Sequence, residues 1–156
     1  MILTRVDLVD EELINCLKEA GCTCISFGIE SGSQKIIDQM DKRFQMGDAS
    51  RAISLCKECG IEMATYFMVG FPEETENELI KTVEFIQKNS PGWLKANILG
   101  YYPGSPMYEC AVQDGIIDDV WKKITESGVA MDLPLPARNI AVNKLKFYRA
   151  KINLLP

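Results

Sequence analysis

Two loops carry residues whose types and spacing suit ligand chemistry. In FGIESGS (Phe27 to Ser33), Glu30 stands between Gly28 and Gly32. Backbone at the glycines can approach a ligand closely, while the carboxylate accepts hydrogen bonds from a ribose diol or an amino group. A loop acid satisfied by nearby backbone N–H groups has the same composition, and residue type alone leaves both readings open. In Gly70-Phe71-Pro72-Glu73-Glu74-Thr75, Gly70 lets a flat ligand lie against the main chain and Pro72 stiffens the loop. The plain alternative there is a strand-to-helix turn with acids at the helix N-terminus, where the dipole favours them. Thiols offer a third chemistry: Cys22 with Cys24 and Cys56 with Cys59 form C-x-C and C-x2-C pairs that could make a four-thiolate zinc or iron–sulfur site. Buried reduced cysteines are the stronger reading, because strand and helix geometry points the members of each pair apart.

These loops need elements to position them. Lys18-Glu19-Ala20-Gly21 leads into one strand-like run and Lys57-Glu58-Cys59-Gly60 into the next, 39 residues later. That period suits one helix, a glycine C-cap and one strand, the unit of a parallel sheet covered by helices. A strand or its remnant is expected at Ile2 to Val6, then a helix from Glu11 to Ala20 capped by Asp10, and a strand from Cys24 to Ile29. Ser33 is expected to cap a short helix to Met40, and Asp48 a longer one from Ala49 to Cys59. A strand from Met63 to Val69 follows, and Thr75 with Glu78 forms a capping box opening a helix from Glu76 to Lys88. The last strand is Leu94 to Leu99, after which Ser105 caps a helix beginning at Pro106. The fold class is α/β: about four parallel strands of a partial, TIM-type barrel, with the chemistry at the C-terminal strand ends. Strand alternation places Ser26, Gly28 and Glu30 on the inner face and Ile25, Phe27 and Ile29 on the other.

Two regions are expected, 1–132 as the partial barrel and 133–156 as a linker with a basic helix. Asp132 to Arg138, with Pro134 and Pro136, reads as the linker. Leu133 to Pro156 holds five of the 17 cations and none of the 22 acids. Ala141, Leu145, Tyr148, Ile152 and Leu155 recur at helical spacing, so this tail is read as an amphipathic helix on the body with its basic face in water. The acidic remainder, with a net charge of -5 overall, argues against sequence-independent nucleic-acid binding. Neither an 18-residue apolar stretch nor a secretory leader is present, so a cytoplasmic protein with reduced thiols and no membrane partner is expected.

The motifs taken together resemble the radical S-adenosylmethionine superfamily, in the branch of the methylthiotransferases, Elongator-type barrels and cobalamin-dependent enzymes. The carriers are Arg5 in TRVDLVDEEL, LKEAGC at Leu17 to Cys22, FGIESGS, MDK at Met40 to Lys42, VGFPEET at Val69 to Thr75, and YPGSPMYE at Tyr102 to Glu109. Each is weak alone; their order and spacing make the match. The resemblance implies that Gly28, Glu30 and Ser31 reach the methionine or ribose part of S-adenosylmethionine. It implies that Gly70, Phe71 and Pro72 lie along its adenine, and that Arg5 makes a further polar contact. Glu73 departs from the family pattern, which has glycine between the proline and the Glu-Thr pair. In that family a 4Fe-4S cluster on C-x3-C-x2-C after the first strand completes the site, and some members also use cobalamin through another domain. No three of the six cysteines here have that spacing, so the cluster is not expected on this chain alone.

Three functions are carried forward: a fragment of a radical S-adenosylmethionine enzyme, inactive alone; a non-catalytic remnant serving as a binding or assembly module; and a small metalloprotein using Cys22, Cys24, Cys56 and Cys59. An open sheet edge beside Ile2 to Val6 and an apolar inner face also predict self-association, or cover by the missing barrel half. With no cofactor bound, Glu30 is expected to be partly exposed, or bonded to local backbone or Arg5, on the same face as Gly70 and Tyr101.

Overall fold

The computed structural model describes residues 1–127 and 135–155. Four parallel strands form one sheet in the order β1 (Ile2–Thr4), β2 (Cys24–Glu30), β3 (Glu62–Val69) and β4 (Trp93–Ile98). Between them run α1 (Glu11–Glu19), α2 (Gln34–Gln39), α3 (Met46–Glu58) and α4 (Glu76–Asn89); after β4 come α5 (Pro106–Gln113), α6 (Val120–Ser127) and α7 (Val142–Asn153). Consecutive parallel strands joined by helices are the βα barrel pattern, and α1 to α4 and α7 share one core with the sheet, while α5 and α6 form a separate cluster.

Local rules account for most boundaries. Asp10 accepts the Leu13 amide at 2.8 Å and opens α1, and Ser105 accepts the Tyr108 amide at 3.2 Å ahead of Pro106. Glu78 receives the Thr75 amide at 3.0 Å, the expected capping box. Two caps differ from expectation. The longer helix starts at Met46, and Asp48 is its third residue, reaching back to the Gln45 amide at 2.9 Å while Gln45 holds the cap. Ser33 occupies the cap of α2, but its hydroxyl is buried without a partner. The first strand also stops at Thr4, because the chain from Val6 to Leu8 turns as a short 3-10 helix that buries Val6.

Alternation decides which side of the sheet is core. Ile25, Phe27 and Ile29 of β2, Phe67 and Val69 of β3, and Ala96 of β4 are buried with Ile14, Ile53, Leu79, Ile86, Leu145 and Ile152 from the helices. The opposite face carries Leu3, Ser26, Gly28, Tyr66, Trp93, Lys95 and Asn97, related by register across the strands. Leu3 and Trp93 are exposed on it, as are Lys95 and Asn97, so this inner face is mixed, and not the apolar surface expected.

The tail packs as the spacing predicts: Leu145, Tyr148 and Ile152 are buried, Leu155 is part-buried, and Ala141 is the exposed N-cap. Its Asn153 side chain accepts the Ala96 amide at 2.6 Å and donates to the Ala96 carbonyl at 3.2 Å, so a side-chain amide occupies the edge of β4. Arg138 and Lys144 face acids, Glu73 at 3.8 Å and Glu76, while Lys146, Arg149 and Lys151 are exposed. The expected linker 132–138 lies partly outside the described residues; from 135 to 141 the chain is not helical. Helix α6 had no counterpart in the sequence reading.

Candidate functional site

The inner face ends in a groove of about 630 Å³ lined by residues of β1, β2 and β3 together with Lys42. Glu30 closes one wall. The Lys42 ammonium donates to its carboxylate at 2.8 Å and to the Gly28 carbonyl at 2.7 Å, and both side chains are largely covered. The pair folds directly over Gly28, where an added Cβ would lie 2.6 Å from the Glu30 carboxylate. Gly28 therefore leaves the space that the pair fills.

Backbone strain concentrates at this pair. The Ser31 amide donates to the Ile29 carbonyl at 2.9 Å, a γ-turn centred on Glu30 with φ of 71°. The register with β3 shifts between Gly28 and Glu30, a bulge at the strand end. Lys42 in turn is flanked by Asp41 and Arg43, with φ of 51° and 59°. Three of the four non-glycine residues with positive φ among the described residues thus hold or flank the ion pair. Such conformations persist where the surroundings over-determine them, and they gather at ligand sites.

Arg5 lines the same groove, but its guanidinium grips Asp7 through two hydrogen bonds of 3.0 Å and also donates to the Lys42 carbonyl. This fork holds the Asp7 carboxyl below its ordinary value. Glu30 is partly exposed, as expected, and its partner is Lys42, while Arg5 and the local backbone are not bonded to it. Lys42 is the residue that the sequence reading left without a role, although MDK was among the motifs that carried the resemblance. Ser26 lies deeper in the groove, 2% exposed, its hydroxyl without a partner.

The other expected contacts sit elsewhere. Ser31 is fully buried; its hydroxyl lies 3.3 Å from that of Thr82 in α4, which also accepts the Gly32 amide at 2.9 Å. Gly70, with φ of 101°, faces Leu145 of α7, whose methyl would stand 3.3 Å from an added Cβ. Phe71 is buried, and the Pro72 carbonyl accepts from Asn139 at 3.4 Å. Tyr101 belongs to a separate small cluster with Tyr108, Ala111 and Val120. The groove thus brings together Arg5, Gly28 and Glu30, while Ser31, Gly70, Phe71, Pro72 and Tyr101 are not among its lining residues.

Glu74 is the second residue that the sequence reading passed over. Placed by the sequence only among the acids at a helix N-terminus, it is fully buried, with one carboxylate oxygen accepting the Gly70 amide at 2.5 Å and the other lacking a partner. Burial pushes its carboxyl up to about 7.

The thiols do not assemble a metal site. No group of three or more His, Cys, Asp or Glu among the described residues is placed to hold a metal ion. Cys22 donates to the Cys24 carbonyl at 3.4 Å and Cys59 to the Asn15 side chain at 3.3 Å. Cys56 is buried in the core, which pushes its thiol up to about 11. At Cys56 this is the opposite of what a reactive or metal-binding thiolate needs. No helix among the described residues is long and apolar enough to cross a membrane.

A parallel α/β sheet with a strained, charged groove at its strand ends defines a segment of a βα barrel. The chain belongs to the radical SAM superfamily, whose family model matches residues 1–86. It is 30% identical over 131 residues to an uncharacterized methyltransferase of Pyrococcus horikoshii, covering 83% of this chain and 28% of that protein. Among solved structures, the radical S-adenosylmethionine methyltransferase TsrM from Kitasatospora setae, with cobalamin and a [4Fe-4S] cluster bound, superposes with a TM-score of 0.66. It shares 20% identity, and the match covers 72% of this chain and 22% of that one. Coproporphyrinogen III oxidase (HemN) from Escherichia coli, a radical SAM enzyme, superposes with a TM-score of 0.60 at 15% identity over 92% of this chain and 37% of that one. At these identities the two structures establish the fold. The chain spans roughly a quarter to a third of the length of these relatives.

Proposed function

We propose that this chain supplies part of the S-adenosylmethionine face of a radical SAM enzyme, with Glu30 and Lys42 as its polar centre. The observation that carries the reading is the ion pair folded over Gly28 in a groove at the strand ends, held by positive-φ backbone at Glu30, Asp41 and Arg43. A ligand with an amino or diol group and a carboxylate can exchange the pair for itself, Glu30 accepting from the former and Lys42 donating to the latter. Gly28 keeps the floor open, and Arg5 and Ser26 add donors along the same wall. Gly70, Phe71 and Pro72 lie at the neighbouring strand end and take the adenine side in this reading, with Ser31 anchoring the Glu30 turn to α4.

When bound to a reduced 4Fe-4S cluster, S-adenosylmethionine supplies a carbon radical that abstracts hydrogen. The thiols present do not fit that cluster, and this chain's contribution is binding and orientation of the cofactor. Cobalamin, used by TsrM, would be held by other segments. An intracellular setting with reduced thiols suits this chemistry.

Titration calorimetry of the 156-residue protein with S-adenosylmethionine tests the reading. Saturable binding that weakens about tenfold in Glu30→Gln, as loss of a charged hydrogen-bond acceptor predicts, supports it. No saturable binding, or equal affinity in Glu30→Gln, overturns it. After anaerobic iron–sulfur reconstitution the chain alone is expected to form no 5′-deoxyadenosine above a protein-free control.

A further inference from the structure

The two halves of the ion pair over Gly28 are held by different devices. Glu30 sits on the turn that ends its own strand, but Lys42 lies 12 residues further on, in the connection between α2 and α3. The left-handed residues beside it, Asp41 and Arg43, bond to each other at 2.9 Å while 74% and 78% exposed, and so fix little. On the near side, the Lys42 amide donates to the Ile37 carbonyl at 3.3 Å, a long bond at the end of α2. On the far side, one side chain bridges two backbone groups. The Gln34 carboxamide, from the first turn of α2, donates to the Phe44 carbonyl at 3.0 Å and accepts the Met46 amide at 2.8 Å. Its second N–H goes to Asp38 at 2.8 Å.

Both N–H groups and the oxygen of Gln34 are thus in use, and the types of its partners fix which way the amide points. Flipped, it would set oxygen against the Phe44 carbonyl and N–H against the Met46 amide. A carboxylate could not donate to Phe44 and an ammonium could not accept from Met46, so the bridge needs an amide. The Met46 amide is the first of α3 and has no partner within its helix, so Gln34 ties the start of α3 back to α2 across the loop. The Phe44 side chain is buried at 3% exposure, and the Arg5 guanidinium holds the Lys42 carbonyl. Lys42 is thereby carried on backbone pinned on both sides, with its ammonium directed back to the Gly28 carbonyl and Glu30.

We propose that Gln34 is a positioning residue: its carboxamide sets the loop that carries Lys42 so that the ammonium stands over Gly28, and ligands bearing a carboxylate are thereby selected. The first half of this statement stands on the contacts above; the second rests on the function proposed for Glu30 and Lys42. A pinned ammonium loses less freedom on meeting a carboxylate than one on a loose loop, so the benefit of the clamp falls on ligands that carry that group.

The test compares two probes on the 156-residue protein, S-adenosylmethionine and its decarboxylated analogue, which differ only by the carboxylate. Wild type is expected to bind the first about tenfold more tightly, as one charge-assisted contact predicts. In Gln34→Met, which keeps the stem and removes the amide, that preference is expected to fall to about twofold while affinity for the analogue stays unchanged. A loss shared equally by both probes is what a merely structural residue gives, and it overturns the proposal, as does a preference left intact. Should Gln34→Met fail to fold, Gln34→Glu, which keeps the acceptor for Met46 and lacks the donor for Phe44, is read by the same outcomes. Independently of any ligand, the Lys42 side-chain ammonium is followed by 15N NMR. A signal protected by Glu30 and Gly28 in the wild type and lost to water exchange in the variant supports the first half, and an ammonium equally protected, or equally unprotected, in both overturns it. Wild type that binds neither probe, or both alike, removes the ligand reading and with it the selection of a carboxylate, while the ammonium signal still decides whether Gln34 sets the pair.

Discussion

The turns after β2 and after β3 occupy equivalent places in the fold, each leading from the C-terminal end of a parallel strand into a helix, and they solve the placement of an acid in opposite ways. After β2, Glu30 pairs with Lys42 at the wall of an open groove, on strained backbone. After β3, Glu74 is sealed beneath its turn with one backbone donor, no ion-pair partner among the described residues and one orphan oxygen. A paired charge at a groove can be exchanged for a ligand, whereas a buried acid can only act on the backbone above it. In the function proposed above, the turn after β2 is the one that contacts the ligand through charge.

The comparison is broken most severely where the β2 turn meets α4. An added Cβ on Gly32 would lie 2.6 Å from the Thr82 Cα and 2.8 Å from the Lys81 carbonyl, both backbone atoms that cannot swing aside. Gly32→Ala is expected to destabilise the protein by about 3 kcal/mol, at the upper end of overpacking, read as a lowered midpoint in urea. An unchanged midpoint would show that the β2 turn is not clamped to α4.

Glu74→Gln sharpens the contrast through pH. The native carboxyl is raised above its ordinary 4.5 to about 7, so between those values the folded state binds more protons than the unfolded one. Wild-type stability contributed by this group is therefore fully present below about pH 4.5 and is lost as pH rises through 7. At about 1.4 kcal/mol per pH unit, that loss amounts to about 3 kcal/mol at most. Glu74→Gln should lack this loss, so the variant gains on the wild type between pH 5 and pH 8 in paired urea melts. A constant difference across that range would mean that Glu74 is ionised throughout.

The smallest effect belongs to the β2 pair. Lys42→Met keeps the length of the stem and removes the charge, and a partly exposed ion pair is worth about 1 kcal/mol or less. Its stability change is expected to be correspondingly small and to shrink in 0.5 M salt, while binding of S-adenosylmethionine falls. A loss comparable to that of Gly32→Ala would make Lys42 structural and erase the distinction between the two turns.

The two sheet edges give a second contrast. Asn153 satisfies both backbone groups of Ala96 on β4, whereas no comparable side chain is bonded along β1 among the described residues. Self-association, if light scattering at tens of micromolar finds it, should therefore use the β1 side and persist in Asn153→Ala. A dimer that appears only in Asn153→Ala would assign it to β4.

Much of this was written in the chain itself. Asp10, Ser105, and Thr75 with Glu78 cap where residue type and spacing say, because a cap is satisfied within four residues. Period-2 alternation in β2 sorts Ile25, Phe27 and Ile29 into the core and Ser26 and Gly28 onto the groove, and motif order pointed to the family before any coordinates. What the tertiary structure alone decided lies in contacts between residues distant in sequence. Lys42 reaches Glu30 between Asp41 and Arg43, both in left-handed backbone that local propensity disfavours. Gly70 meets Leu145 and Ala96 meets Asn153 across more than 55 residues of chain. Glu74 reads by type as one of the acids at a helix N-terminus, and it is fully buried with its carboxylate on the Gly70 amide. Burial is a property of the assembled layers, which residue identity at one position does not contain.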